Sequence, residues 1–459
     1  MKRSHKKIKS KLKKIIKDYE EIFVINENFN VFCLHCKDVI KCKSRFKLKQ
    51  HINTKKHEKN AFNNICDDKQ GVILYDQKKT KKSIAEILCK GMLRSDIPLH
   101  KLKNNDFNKM LFELTGTTVS ETFVRSQIEY LYNNEQEKLI NLIKNEPFYL
   151  IFDESPIKTY KFWNVLIGLI KNPGKEYLLG SFYTIKTSNK NMVHEVIDTL
   201  IKKYKLSYQN LYLLITDAVK YNIAFYNDLH EKYPHIMHFT CISHLLHNCV
   251  TYIMKKFHDV DQLIKKINIL LGYNKSLCLS FRSLGPFQKP CETRWGKCID
   301  FLIFLKKFFD QIRTILNDFK NVKSETYKEC MVLINKKTIF NDISYIVKNY
   351  GFFSKIIIYT EKNDFSILES INLIKKLRFN DDKIDLTSYI QKRIKKHFLN
   401  AYILDDNLIN ENQNNVLSLP ATGAAVERSF SMLKDMLRDN RNFNVENIEK
   451  FFFIKYNKF

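Results

Sequence analysis

Between residues 146 and 250 the apolar positions fall into short blocks rather than long stripes. Phe148 to Phe152 is one such run and ends at Asp153. Trp163 to Ile170 and Tyr177 to Thr184 are apolar, aromatic and β-branched, and the turn signal Asn172-Pro173-Gly174 separates them. These runs predict a meander of adjacent strands. Val193, Val196, Ile197, Leu200 and Ile201 then recur at helical spacing, and Leu211 to Ile215 is a buried run leading into Thr216-Asp217. A further short strand is predicted at His238 to Thr240. This order predicts a mixed sheet with helices on its faces. Ligands gather at strand ends in such sheets, and two of these strands are predicted to end in Asp.

Past Cys249 the period changes to that of helices. Phe301, Leu305, Phe308, Ile312, Ile315 and Phe319 draw a single apolar stripe and predict one helix. Further stripes run through Leu263 to Leu271, Ile343 to Tyr350 and Ile367 to Leu377. Leu417 to Gly423 (LSLPATG) interrupts the helices with Pro and Gly, after which Val426, Phe430, Leu433 and Leu437, then Val445, Ile448 and Phe452, resume the pattern. The fold class is α+β. The chain divides into a basic leader (1–29), a Cys- and His-bearing segment (30–60), a helical linker domain (61–145), a mixed-sheet core (146–250), an α-helical insertion (251–418) and a closing segment (419–459).

Composition narrows the functional classes. A chain of 459 residues suggests two to four folding units, and 44% hydrophobic content excludes global disorder. Lys and Arg number 77 against 49 Asp and Glu, a net charge of +28. That excess points to a polyanion, with nucleic acid first and an anionic membrane second. An AT-rich genome, which favours Lys and Asn codons, is the other source of such an excess. Apolar runs fall far short of a membrane span, which predicts a soluble protein with no membrane partner. Eleven cysteines without a cleavable apolar leader predict reduced thiols. Residues 2–17 carry nine Lys or Arg and no acid, fitting a nuclear import signal, a phosphate-binding arm or a solvated basic helix.

Several constellations carry chemistry. Cys33 and Cys36 stand two residues apart, and fourteen residues later His51 and His57 follow. Two thiolates on one turn and two imidazoles on a helix complete the tetrahedron that structural zinc prefers. Val31 and Phe32 before the first thiol, with Phe46, Leu48 and Ile52 around the helix, predict a ββα zinc finger. His35 is an alternative ligand and Cys42 a bystander. Nine Lys or Arg lie between Lys37 and Lys59, so Lys43, Arg45, Lys47 and Lys49 are expected to face phosphate. Asp153 and Asp217 are either turn and cap residues or a carboxylate pair that needs divalent cations between its members. Cys241 and His244 (CISH) have metal-like spacing but no second thiol pair, which favours packing. Arg294 and Trp295 suit stacking on an unpaired base while gripping phosphate, or a tryptophan capping the core. Glu427 and Arg428 lie in an early helical turn after Pro420-Ala421-Thr422-Gly423, where an acid also favours the helix dipole.

Taken in order, the finger, Asp153, Asp217, CISH, TRW and PATGAAVERSFS resemble the hAT superfamily of DNA transposases, with a finger similar to that of CGG triplet-repeat-binding proteins. The likeness runs from about residue 30 to residue 457. It implies an RNase H-like core interrupted by the helical insertion, with residues 419–459 completing the core and supporting a homodimer or higher oligomer. It further implies that Asp153, Asp217 and Glu427 are catalytic and hold Mg2+ or Mn2+, that Arg294 and Trp295 handle a flipped base, and that Cys241, His244 and Arg428 support the site. Gly423 stands where the family usually has Ser, which is expected to loosen the turn before Glu427. The function so implied is cleavage and strand transfer at transposon ends in the nucleus. The competing reading is a domesticated, catalytically silent DNA-binding factor; a nonspecific nuclease fits the finger and insertion less well.

Overall fold

The computed structural model describes residues 22–25, 30–40, 44–57, 80–287, 296–319, 324–362, 365–377, 383–397, 415–438 and 445–459, with Leu12, Ile15, Ile16, Tyr19 and Lys289. The chain divides into two compact units, Met1–Lys79 and Thr80–Phe459. No helix among the described residues is long and apolar enough to cross a membrane.

In the first unit β1 (Phe23–Ile25), β2 (Val31–Cys33) and β3 (Asp38–Ile40) form an antiparallel sheet in that order, followed by α1 (Arg45–Ile52). The expected ββα finger is therefore extended by a strand drawn from the leader. Its core is also larger than residues 30–60, because Leu12, Ile16 and Phe23 are buried with Val31, Cys33 and Leu48. Leu12 and Ile16 are four residues apart, so both face one side of a helical turn and place part of the leader on the finger. Phe46 departs from expectation: it is 67% exposed, while Leu48 alone of α1 is fully covered.

The second unit begins with α2 (Lys81–Arg94), α3 (Asn105–Thr115), α4 (Glu121–Arg125) and α5 (Gln127–Ile143). The sheet follows: β4 (Phe148–Ile157), β5 (Tyr160–Leu169), β6 (Glu176–Thr184), then α6 (Lys190–Lys203), β7 (Leu211–Thr216), α7 (Lys220–Lys232) and β8 (Met237–Thr240). Its spatial order is β6-β5-β4-β7-β8, antiparallel on the β6 side and parallel from β4 to β8. The mixed sheet is thus as the apolar runs predict. Gly168 lies opposite Tyr149, whose ring would collide with any Cβ there.

One boundary differs. β4 does not stop at Asp153 but runs on to Ile157, paired with β5 throughout. What stops near Asp153 is the pairing with β7, whose last partner pair is Ile151 and Ile215.

The insertion is helical: α8 (Ile242–Lys256), α9 (His258–Tyr273), α10 (Lys275–Leu284), α11 (Gly296–Lys307), α12 (Phe309–Phe319), α13 (Glu325–Ile334), α14 (Ile339–Tyr350), α15 (Phe353–Thr360), α16 (Ile367–Lys376) and α17 (Leu386–His397). The stripe from Phe301 to Phe319 is two helices, not one. The chain turns at half-buried Phe308, and Phe309 takes the buried place. α18 (Ala424–Met436) and α19 (Val445–Tyr456) close the chain on the sheet. Asn457 then caps β6 as a strand would, its amide accepting from Leu178 N at 2.9 Å and donating to Leu178 O at 3.0 Å. Arg94 of α2 donates to Asn457 O and Ile454 O, fastening the carboxyl terminus to the linker helices.

Candidate functional site

The first site is the finger. A tight turn between β2 and β3 carries Cys33 and Cys36, with Lys37 in the left-handed region at φ 53° closing it. His51 ends α1 and His57 follows one turn later. All four ligand atoms lie within 4.8 Å of one another. His57 Nδ1 stands 3.5 Å from each of Cys33 Sγ and Cys36 Sγ, and 3.2 Å from His51 Nε2. A tetrahedral zinc with Zn–S of ~2.3 Å and Zn–N of ~2.05 Å requires S···N edges of about 3.6 Å and an N···N edge of about 3.3 Å. The geometry and the donor set both fit, so this cluster can bind a metal such as zinc. Burial, with Cys36 adding to it, raises the Cys33 thiol, and burial, with the Lys56 charge adding to it, lowers His51. Arg45, Lys47 and Lys49 are exposed on α1. Lys43 and Cys42 lie outside the described residues, as do Arg294 and Trp295.

The second site is acidic and belongs to the sheet. β4, β7 and β8 run parallel, and their mutual pairing stops at one level: Ile151 with Ile215, and Thr216 with Thr240. Carrying that register forward brings Asp153, Asp217 and Cys241 level with one another just beyond the paired region. On the far side, α18 lies against β4 and β5, with Glu427 in its first turn.

Three hydrogen bonds hold α18 and the turn before it there. Asn164, the register partner of Asp153, donates from Nδ2 to Ser429 Oγ at 2.8 Å and accepts from Ser181 Oγ at 2.6 Å, all buried. Gly423 N donates to Cys241 Sγ at 3.1 Å, and Ile242 N to Ala421 O at 3.1 Å. Gly423 has an ordinary φ of −77°, and a Cβ there would make only van der Waals contact. The expected loosening of this turn is therefore absent; the thiol of Cys241 anchors it. Cys241 thus packs against the turn that leads into α18.

The carboxyl groups sense one another. Burial pushes Asp153 up to about 7; His244 and the Glu154 N–H oppose this, while Asp217 and Glu427 add to it. Asp217 is also raised by burial, countered by His244 and by Asn222, whose Nδ2 donates to Asp217 Oδ1 at 2.7 Å. His244 Nδ1 stands 4.0 Å from Glu427 Oε1. Burial disfavours its charge, but Cys241 and the carboxylates of Asp153 and Glu427 outweigh that and hold it well above the ordinary histidine range. Among the described residues no Lys or Arg pairs with Asp153, Asp217 or Glu427. Nor do any three ligand atoms here lie as close together as those of the finger.

Residues that motif reading passed over complete this edge. Glu154 accepts from Ser188 Oγ and adds its charge to Asp217. Tyr221 is raised by burial, then by Glu154, Asp217 and Asp153. Arg393 of α17 lines a cleft with Ala218, Cys241, His244 and Asn248. Arg428 is exposed and donates to Glu361 O at 3.1 Å, a packing contact beside Glu427. Of these, Arg428 is named by the resemblance and Glu154 adjoins Asp153 in FDES, while Tyr221 and Arg393 are brought in by tertiary packing alone.

No protein-family model matches this chain, and no curated protein matches it.

Proposed function

We propose that this protein is a DNA-cutting and strand-transferring enzyme of the hAT transposase type, with an RNase H-like core. The observation that carries the reading is the acidic edge: two half-buried Asp side chains, level across parallel strands and raised by burial and by neighbouring acids, with Glu427 brought beside them from more than 200 residues away. His244 is the one cation that the acids share, and three carboxylates against a single imidazolium leave an excess of negative charge that favours a role in binding. The sheet order, three antiparallel strands continued by two parallel ones, supports the RNase H-like part.

Asp153, Asp217 and Glu427 would hold Mg2+ or Mn2+, which supplies Lewis acidity for activating a hydroxyl and stabilising a leaving oxygen. The chain's own residues do the rest. Asn222 fixes one oxygen of Asp217, and the Asn164–Ser429 link fixes the helix bearing Glu427. Arg393 offers a guanidinium to a phosphate in the adjoining cleft. The zinc-binding finger and the basic leader position the duplex, consistent with the charge of +28. A homodimer in the nucleus, joined through residues 419–459, belongs to the same reading.

The test is incubation of purified protein with Mg2+ and duplex DNA spanning the ends of the element that encodes it. The expected result is strand cleavage at those ends, abolished in Asp217→Asn while DNA affinity changes less than threefold. Binding without any Mg2+-dependent cleavage in the parent protein points instead to a silent DNA-binding factor.

A further inference from the structure

The side chain that leaves the finger core against expectation also marks what the finger touches. At ~100° per residue, Leu48, Ile52 and His51 share the inner side of α1, while Phe46 and Gln50, four residues apart, lie diametrically opposite. Accessibility agrees: Leu48 is buried, Phe46 is 67% exposed and Gln50 is exposed. Lys47 and Lys49 project on either side of that outer line, both exposed, and α1 carries no acid in its first turn. A bare phenyl ring next to a carboxamide, flanked by two ammonium groups, has the profile of a surface that meets phosphate on its margins and base edges along its middle.

We infer that Phe46 and Gln50 form the base-reading line of the finger, with α1 in the major groove of duplex DNA. Phe46 packs on the C5-methyl of a thymine, and Gln50 takes a neighbouring adenine through its N6 and N7 edge. Lys47 and Lys49 hold the phosphates on the two groove walls. This rests on the DNA-binding part of the proposed function. Charge complementarity selects duplex DNA over a protein partner, since an apolar protein patch would have to desolvate both lysines.

The test uses the full zinc-loaded chain. A duplex is selected from a randomised library, and binding is then measured to that duplex and to a version with uracil replacing each thymine in turn. With the parent protein, one uracil substitution is expected to weaken binding about tenfold; with Phe46→Ala the thymine and uracil duplexes bind equally. Lys49→Ala should weaken all duplexes alike and flatten the dependence of log affinity on log salt by about one unit. Zinc content is measured alongside and is expected to stay at the parent value in Phe46→Ala. Failure of the parent to select any duplex would remove the DNA-binding reading itself. Selection that is indifferent to uracil at every position, or loss of zinc in Phe46→Ala, would overturn this inference and leave that reading standing.

Discussion

Replacing Asp153 by Asn in metal-free protein should change how stability depends on pH, in a direction fixed by the acidic edge. An acid whose pKa is higher folded than unfolded binds more protons in the folded state, so stability falls as pH rises between the two values. For Asp153 those are 3.8 and about 7. The full gap is worth at most about 4 kcal/mol at ~1.4 kcal/mol per unit. Between pH 5 and pH 8 the linkage integral supplies about 2.5 kcal/mol of it. The unit Thr80–Phe459 has about 380 residues, and at ~2.1 cal/mol/K per residue one degree of Tm corresponds to about 0.8 kcal/mol. The ceiling is about 3 °C, and solvent screening of a half-buried carboxyl brings the expectation to about 1–2 °C. The assay is thermal melting of both proteins in chelator across that range. The carboxamide introduced by Asp153→Asn cannot ionise, so the variant should gain on the parent steadily as pH rises. A gap that is flat with pH, or one that widens in favour of the parent, would refute the claim that burial, with Asp217 and Glu427 adding to it, raises Asp153.

Other outcomes follow from particular contacts. Chelating zinc should strip hydrogen-exchange protection from Val31–Cys33, Asp38–Ile40 and Arg45–Ile52 while leaving β4 to β8 protected, since a small unit with six buried core side chains among its described residues is expected to depend on its metal; retained protection in the finger would contradict this. Asn222→Ala frees Asp217 Oδ1 and should raise the Mg2+ concentration for half-maximal cleavage about 10-fold to 100-fold. A loss that persists at saturating Mg2+ would make Asn222 merely structural. Asn164→Ala strands the Ser181 hydroxyl and opens a cavity under α18, so it should cost about 2–4 kcal/mol, read as a Tm lower by roughly 3–5 °C; an unchanged melting curve would show that the link does not hold the helix.

Much of the sheet is legible because its strands are apolar on both faces and bounded by strong turn chemistry at Asn172-Pro173-Gly174. Continuation of β4 past Asp153 is not, since Glu154-Ser155-Pro156 reads as a strand end. The structure tolerates Pro156 because no β7 partner remains at that level, and the loop at Lys158 reaches a left-handed φ of 57° without the Gly or Asn that would announce a hairpin. Phe46 misleads for a related reason: an aromatic residue beside a finger's ligands is ordinarily core, but here Phe23, from a three-residue strand too short to stand out, fills that space. The zinc ligands are legible from spacing alone, because chelation by four side chains imposes its own pattern. Asn222, Tyr221 and Arg393 are not, since nothing local distinguishes them until the fold brings them to the edge of the sheet.

Under the proposed function Asp153, Asp217 and Glu427 share a divalent-cation pocket, which bound Mn2+ counted by paramagnetic resonance would reveal. With the finger loaded with zinc, the parent chain is expected to bind Mn2+ beyond the finger, and Asp153→Asn, Asp217→Asn and Glu427→Gln should each bind less of it, since under the proposed function each removes a carboxylate that would hold the ion. A parent that binds no Mn2+, or variants that bind as much as the parent, would contradict the account.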